Sequence, residues 1–489
     1  MNQIAREFHR QFNRLLVPLL IGLVTSSCQP TAAVTDAPIS TTELREDFRI
    51  LRKTLEEAHP GLYWYTAKGR MDAYFDSTYA QLNQDMSEVE FLTRLLPVIA
   101  HVRCLHTNVS FSDRPRHQPT RMSRVLPLAL YPDKGKVYIE KNYSNALHEG
   151  SQLLAINNQP INKLTNQLLR AIPADGYNQT FKEYLLTQGV FREGFALLVG
   201  QPREFALTVR EPTGRTVQCT VPALSPTAIN QLAATHRSEA MDLAFPKASV
   251  ALLTLPTFER NNSAFRDSIR AIFRTINQRN IRTLIIDVRD NGGGNNQNVT
   301  ELFSYIAARP FRHLKKTERL AKPITYGPHI KNQAAFAQLK GTRTAAGTYA
   351  MDYLYAGTST RKPVNEYGFR DKLIVLANGG TASAASEFVA LAHGYKRALV
   401  VGEETGGCYY GASGGRYLTL VLPNSQLQVR IPVIRIFTDV PEDYVRQPKG
   451  RGVLPDYPVR PTIADRLAHE DPQFETALRL TNSTLLRPH

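Results

Sequence analysis

From about residue 245 onward, apolar runs of strand length alternate with amphipathic helical stretches, and this alternation restricts the fold more than any other feature of the chain. Val250–Leu255 reads as a strand, Ala264–Gln278 as a helix and Thr283–Val288 as a strand; Leu373–Ala377, Ser383–His393 and Ala398–Val401 repeat the order. A strand, a helix and a second strand predict a βαβ unit, because parallel neighbours need a crossover of helical length. The region is therefore expected to be α/β, with helices over a mainly parallel sheet. Tyr417–Leu422 and Leu427–Ile431, around Pro423-Asn424-Ser425, add an antiparallel hairpin. The less regular stretch 309–370, rich in Lys, Arg, Tyr and Thr, is expected to shape a cleft.

The residues before this core have a different texture. Between about 120 and 222, short β-type runs dominate: Val137–Ile139, Leu153–Ile156, Phe205–Val209 and Val217–Val221, separated by turns such as Asp133-Lys134-Gly135. From Thr42 to about Ser110 the apolar positions recur at helical spacing, as in Leu44, Phe48, Leu51 and Leu55, and again in Phe91, Leu95 and Val98. His59-Pro60-Gly61 separates two of these helices, since Pro and Gly both interrupt the backbone.

At the N-terminus, Arg6, Arg10 and Arg14 precede the apolar run Leu15–Val24, which has the form of a secretory signal and is too short to span a bilayer. Thr25-Ser26-Ser27-Cys28 follows, similar to a bacterial lipoprotein processing site. That similarity implies cleavage before Cys28 and a lipid on its thiol, with the Pro-, Ala- and Thr-rich residues after it as a tether. Plain secretion with cleavage near Cys28 is the simpler alternative.

Export decides how the composition is read. The chain has 489 residues, room for two to four domains at about 150 residues each. Its 59 Lys and Arg against 43 Asp and Glu give a formal net charge of +16, which would suit nucleic acid in a cytoplasmic protein. Outside the cytoplasm the same charge suits anionic head groups, envelope polymers or acidic peptides, so no nucleic-acid partner is expected. Four cysteines in so long a chain exclude a disulfide scaffold, and 21% charged with 9% aromatic residues excludes wholesale disorder.

Three loops follow buried strands, where α/β folds place their sites. The first is Asp287-Val288-Arg289-Asp290-Asn291-Gly292-Gly293-Gly294, whose glycines let backbone N–H groups approach a ligand. A phosphate cradle is the rival, but no Lys-Ser/Thr pair follows it. In the second, Gly379-Gly380-Thr381-Ala382-Ser383-Ala384-Ala385-Ser386-Glu387, a serine stands where a helix begins; Thr381 or Ser383 equally suits a plain N-cap. The third, Val401-Gly402-Glu403-Glu404-Thr405-Gly406-Gly407-Cys408, on its own reads as a solvated turn.

Taken together, in order and spacing, the three loops resemble the serine peptidase family of carboxyl-terminal processing (tail-specific) proteases and tricorn, in its bacterial lipoprotein branch. His59-Pro60-Gly61-Leu62-Tyr63 and Gly450-Arg451-Gly452-Val453-Leu454-Pro455-Asp456 extend the likeness. So does Gly150-Ser151-Gln152-Leu153-Leu154-Ala155-Ile156-Asn157, which is similar to the strand-turn-strand of PDZ domains. The resemblance implies an α/β fold with a crotonase-like (ClpP/crotonase) core, a PDZ-like β domain and an N-terminal helical lead-in. It divides the chain into a lipoprotein signal peptide at 1–27, a flexible tether at 28–42, the helical region at 43–118, a PDZ-like peptide-binding domain at 119–225 and the peptidase core at 226–489.

The resemblance further implies Ser383 as nucleophile, with an oxyanion hole from the N–H groups of Ala384 and Gly293. The base is the informative departure. The processing proteases carry a lysine 25 residues after the serine; here that position is Cys408. The tricorn-like branch uses an N-terminal histidine instead, matched by His106 in Cys104-Leu105-His106-Thr107. The acidic residue that steadies such a histidine falls at Lys449, so Glu387, Glu403 and Glu404 are the candidate substitutes. Cys104 and Cys408 fall near the site under this alignment and are expected to approach each other as a disulfide.

The expectation is a serine endopeptidase of the bacterial cell envelope, acting on a polypeptide substrate and held to the membrane by a lipid on Cys28. No cofactor is implied, and no metal: there is no His-Glu-x-x-His string, and His101 and His106 do not share a helix face. The main alternative is a catalytically inactive peptide-binding lipoprotein of the same fold. A crotonase-like acyl-CoA enzyme follows from fold analogy alone and suits neither export nor the PDZ-like insert. The oligomeric state is left open.

Overall fold

The computed structural model describes residues 38–112, 123–144, 147–233, 240–337, 339–351 and 356–482. The expected signal peptide, the lipidation site Cys28 and most of the tether lie outside the described residues. The end of the proposed tether does not: Ile39 is fully buried and bridges Met86, and Ser40 caps the helix Thr41–Ala58. The folded body thus includes residues 39–42.

The described strands form three sheets of six strands. The central sheet runs in the order Asp242–Lys247, Val250–Thr254, Thr283–Asp287, Lys372–Ala377, Leu399–Gly402, Tyr457–Pro458. All neighbours are parallel except the first pair. Its inner strands are near-continuous apolar runs because both faces are covered. Leu284, Ile286, Val375 and Ala377 face the helices Asn262–Gln278, Asn296–Ile306 and Ala384–Gly394, whereas Ile285, Ile374 and Leu376 face the terminal helix Pro472–Leu480.

The second sheet is built on a long hairpin, Gly411–Val421 with Gln428–Thr438; Asn108–Ser110 pairs with the start of the second hairpin strand and Leu314–Leu320 with its end, followed by Thr348–Ala350 and Thr342–Arg343. The hairpin extends well beyond the expected span of 417–431, because a register shift between Gly414 and Tyr417 lets pairing resume past the glycines. The stretch 309–370, expected only to shape a cleft, supplies three of this sheet's strands. The helices Thr41–Ala58 and Glu88–His101 bury Leu44, Phe48, Leu51, Phe91 and Leu95 against the same sheet, so the helical lead-in shares its core.

The third sheet is antiparallel: Leu128–Asp133, Lys136–Asn142, Gln152–Ile156, Glu204–Arg210 and Thr216–Pro222, with the short Gln159–Pro160 beside the middle strand. Between its strands lie helices the β-rich texture concealed. Ile161–Ala171 buries Ile161, Leu164 and Leu168 at helical spacing, and Thr180–Leu185 continues through a π turn, with Gly189 at φ 94°, into Phe191–Leu198. Among the described residues, no helix is long and apolar enough to cross a membrane.

Candidate active site

His106 sits in the turn between the helix Glu88–His101 and the strand Asn108–Ser110. Pairing of that strand with the hairpin, Asn108 opposite Arg430 and Ser110 opposite Gln428, fixes the exit from the turn. Buried His59 fixes the interior. Gly61 N–H donates to His59 Nδ1 at 3.0 Å, which leaves the ring proton on Nε2 to donate to Thr107 Oγ1 at 2.9 Å. The His106 ring lies close to Gly414, where a Cβ would come within 3.3 Å of Cε1.

Ser383 comes from the turn between the central strand Lys372–Ala377 and the helix Ala384–Gly394. Its backbone, at φ 51° and ψ −128°, is in a region that L-residues rarely adopt and that costs about 1–3 kcal/mol. Neighbouring bonds hold it there. Asp290 N–H donates to Asn378 Oδ1 and Asn378 Nδ2 donates to Asp290 Oδ1, both at 2.9 Å, which ties the first loop to the second. Thr381 Oγ1 donates to Val288 O at 2.8 Å, and Ala382 N–H to Asn291 O at 3.0 Å. The Ser383 side chain makes no capping bond to its helix, and the Thr381 hydroxyl is spent on Val288, so neither acts as a plain N-cap. Instead Ser383 Oγ stands 3.1 Å from His106 Nε2, across 277 residues of chain.

Burial pushes the His106 imidazole down to about 3, and the nearby Arg430 guanidinium adds to the effect. The ring is therefore neutral near pH 7, the state in which Nε2 can accept the serine proton. The Ser413 carbonyl favours the charged ring, yet His106 Nδ1 is buried without a hydrogen-bond partner among the described residues.

The two oxyanion candidates differ. Ala384 is the first residue of its helix, so its N–H is not spent on an intrahelical bond. Gly293 lies against the serine: with φ at 106°, a Cβ there would be 2.8 Å from Ser383 Cβ and 2.9 Å from Ala384 N. Its N–H, however, donates to Asn291 Oδ1 at 2.9 Å, so the expected oxyanion role of that group is not met in this conformation.

None of the three glutamates steadies His106. Glu387 pairs with fully buried His313 at 2.8 Å and with Asn296, so it points into the neighbouring helix. Glu403 reaches Arg460 at 3.3 Å. Glu404 accepts from Arg451 Nε at 2.9 Å, from Gly452 N–H at 2.7 Å and from Asn178 at 3.2 Å, pinning the chain near 178 to the glycine-rich 450–453 segment. Lys449 lines a pocket with His59, Trp64 and Arg435. The expected disulfide is also absent. Cys104 and Cys408 are both free and buried, and their sulfurs are engaged elsewhere: Cys104 Sγ donates to Ser413 O at 3.5 Å and Cys408 Sγ accepts from Tyr65 Oη at 3.4 Å. Burial raises the Cys408 thiol well above its ordinary range, which removes it as a nucleophile.

The carboxyl group that does approach His106 is Asp175, which no motif marks. It lies in the loop between the helices Ile161–Ala171 and Thr180–Leu185, and burial pushes its carboxyl up to about 7. Leu105 N–H donates to its Oδ1 at 2.9 Å, so it braces the His106 turn directly.

The description "Peptidase family S41" matches residues 249–459, which hold the whole central sheet except one edge strand. That stretch carries the sequence pattern of peptidase family S41. The chain is thus a serine-type peptidase, with Ser383 and all three glycine-rich loops inside the matched region. Among solved structures, mature CPAF covers 90% of this chain at 16% identity, with 96% of its own length and a TM-score of 0.59. A CPAF point mutant covers 92%, with 99% of its own length, again at 16% identity and with a TM-score of 0.64. At that identity the likeness is one of fold. No curated protein matches the chain.

Proposed function

We propose that this peptidase is an endopeptidase of the bacterial cell envelope in which Ser383 is the nucleophile and His106 its base. The observation that carries the reading is the 3.1 Å contact between Ser383 Oγ and His106 Nε2, made by a neutral imidazole and a serine held in a strained turn. Ser383 Oγ attacks the scissile carbonyl as its proton passes to Nε2. The charge that develops on the carbonyl oxygen is met by the Ala384 N–H, at the positive end of its helix. His106 then protonates the departing amine, and the acyl-enzyme is hydrolysed by water activated at the same nitrogen. Gly293 serves first by its missing side chain, and its N–H joins the oxyanion hole once Asn291 releases it.

The central sheet and its helices are read as the crotonase-like core, and the antiparallel sheet of residues 128–222 as the PDZ-like domain that takes up an extended peptide by strand addition. The envelope location and the lipid anchor rest on the sequence of residues 1–28 alone.

A second reading, an inactive peptide-binding lipoprotein, is favoured by two observations: the engaged Gly293 N–H and the lack of a carboxylate on His106 Nδ1 among the described residues. Incubation of purified protein with an unfolded polypeptide separates the two. Fragments from the wild type and none from Ser383→Ala support the peptidase; capture of the polypeptide without cleavage by either protein supports the binder.

A further inference from the structure

Directly behind the reacting pair is a constellation of which the proposed peptidase mechanism uses only the Nε2 side of His106. The sulfur of Cys104, one ring nitrogen of His106 and one carboxylate oxygen of Asp175 lie within 4.8 Å of one another. All three residues are buried, at 4%, 3% and 2% exposure. Two atoms of this cluster, His106 Nδ1 and Asp175 Oδ2, make no hydrogen bond of good geometry among the described residues, with the backbone of Ser413 and of Cys408 near the two side chains. A buried polar atom left unpaired costs about 1–3 kcal/mol, so the fold maintains an unmet demand on one side of its catalytic base.

The donor set is thiol, imidazole and carboxylate, the combination that selects zinc-class cations over the hard magnesium and calcium ions. The spacing is compatible. The centre of a triangle with 4.8 Å sides is about 2.8 Å from each corner. Bonds from zinc to such ligands are about 2.0–2.3 Å, so each donor needs to move by at most roughly 0.5–0.8 Å.

We propose that Cys104, His106 and Asp175 form an inhibitory site for a zinc-class divalent cation, which switches the peptidase off by occupying Nδ1 of its base. The inhibition rests on the reading of His106 as that base; the binding does not. In the metal-free protein the ring proton resides on Nδ1 and the Nε2 lone pair accepts from Ser383. When the cation takes the Nδ1 lone pair, the ring proton moves to Nε2, and the Cys104 thiol and any protonated Asp175 carboxyl each release a proton to solvent. The two anionic ligands neutralise the cation's charge. Nε2 then donates to Ser383 Oγ and cannot accept from it, so the serine loses its base while the geometry around it is preserved. No metal motif is visible in the sequence because the ligands come from two segments that only the fold brings together.

Titration of untagged, metal-free protein with zinc against a chromophoric chelator tests the binding, and cobalt(II) reports the sulfur ligand through its thiolate charge-transfer band. One cation per chain is expected in the wild type and equally in Ser383→Ala, with the cobalt band present in both. Cys104→Ser and Asp175→Asn should each weaken binding at least about 10–100-fold, the range seen even for outer-shell changes, and Cys104→Ser should abolish the band. Magnesium and calcium should not compete. Zinc should inhibit the wild type and spare Cys104→Ser at the same concentration, with circular dichroism verifying that the variant is folded. No stoichiometric binding, or binding and a band unchanged by Cys104→Ser, overturns the site. Binding as expected in a chain with no peptidase activity leaves the site standing and overturns the base assignment instead.

Discussion

Ser383 Oγ and His106 Nε2 lie 3.1 Å apart, while the other nitrogen of the same ring is buried with no hydrogen-bond partner among the described residues. In the proposed reading, the base is placed by the packing of its turn, with no carboxylate bonded to the ring itself. The Gly414 backbone and the ring of Tyr417, 6.0 Å away between centroids, limit its tilt, and His59 and Asp175 brace the turn that carries it. Serine hydrolases retain part of their rate without the orienting acid, because base and oxyanion hole still act.

Burial of that ring sets the pH dependence. With His106 held down at about 3, kcat/KM should persist at pH 5, below the usual histidine limb near 6.5. A pH–rate profile on a peptide substrate checks this, and an acid limb centred between roughly pH 6 and 7 would contradict it.

Stability should fall over the same acidic range. His59 and His106 are both lowered to about 3 by burial, so the unfolded chain binds more protons than the folded one as pH drops below about 6.5. Asp175 acts in the opposite sense: it stays protonated in the fold up to about 7, and its contribution declines as pH rises from about 4. Tm should therefore drop between about pH 6.5 and 4 in the wild type, and less steeply in His59→Gln, measured by thermal denaturation at fixed ionic strength.

Gly293→Ala should remove activity and cost about 1–3 kcal/mol of stability, because the new methyl meets Ser383 and Ala384 in a strained backbone region. Gly135→Ala is the control, since it too has positive φ but opens onto empty space. It should lose about 1 kcal/mol and keep full kcat. Equal kcat in the two variants would show that the contact at Gly293 is irrelevant to the site.

Substituting the three glutamates should separate structure from catalysis. Glu404→Gln weakens a buried acceptor of Arg451 and Gly452, and Glu387→Gln weakens the His313 pair, so both should lower Tm. Glu403→Gln, facing a partly exposed Arg460, should cost less than about 1 kcal/mol. None should shift the pH profile of kcat/KM, because none touches His106. A shifted profile in any of them would restore that residue as the orienting acid.

Some parts of this arrangement are legible in the sequence, and others are concealed for physical reasons. Strands such as Thr283–Asp287 and Lys372–Ala377 are buried on both faces, so their apolar runs and the glycine loops after them announce both sheet and site. Ser383 and His106 are singled out only by the family resemblance of the strings that hold them, since alone the serine suits a helix cap, and the structure places their side chains 3.1 Å apart. Asp175 carries no such mark, since Ala174-Asp175-Gly176 reads as an ordinary turn and reaches the base only through the packing of the helices around it. The roles of Glu387 and Glu404 depend on His313 and Arg451, partners whose direction no local pattern encodes. The disulfide fails for a related reason: nearness in an alignment says nothing about where a sulfur points, and both sulfurs are occupied by other partners.

The pairing of Ser383 with His106 is tested most directly by the rate of fluorophosphonate labelling, with the modified peptide located by mass spectrometry. A single adduct on Ser383 is predicted, with none in Ser383→Ala and labelling slowed by about 10²–10⁴-fold in His106→Ala. An adduct on another residue, or labelling of His106→Ala at the wild-type rate, would contradict it.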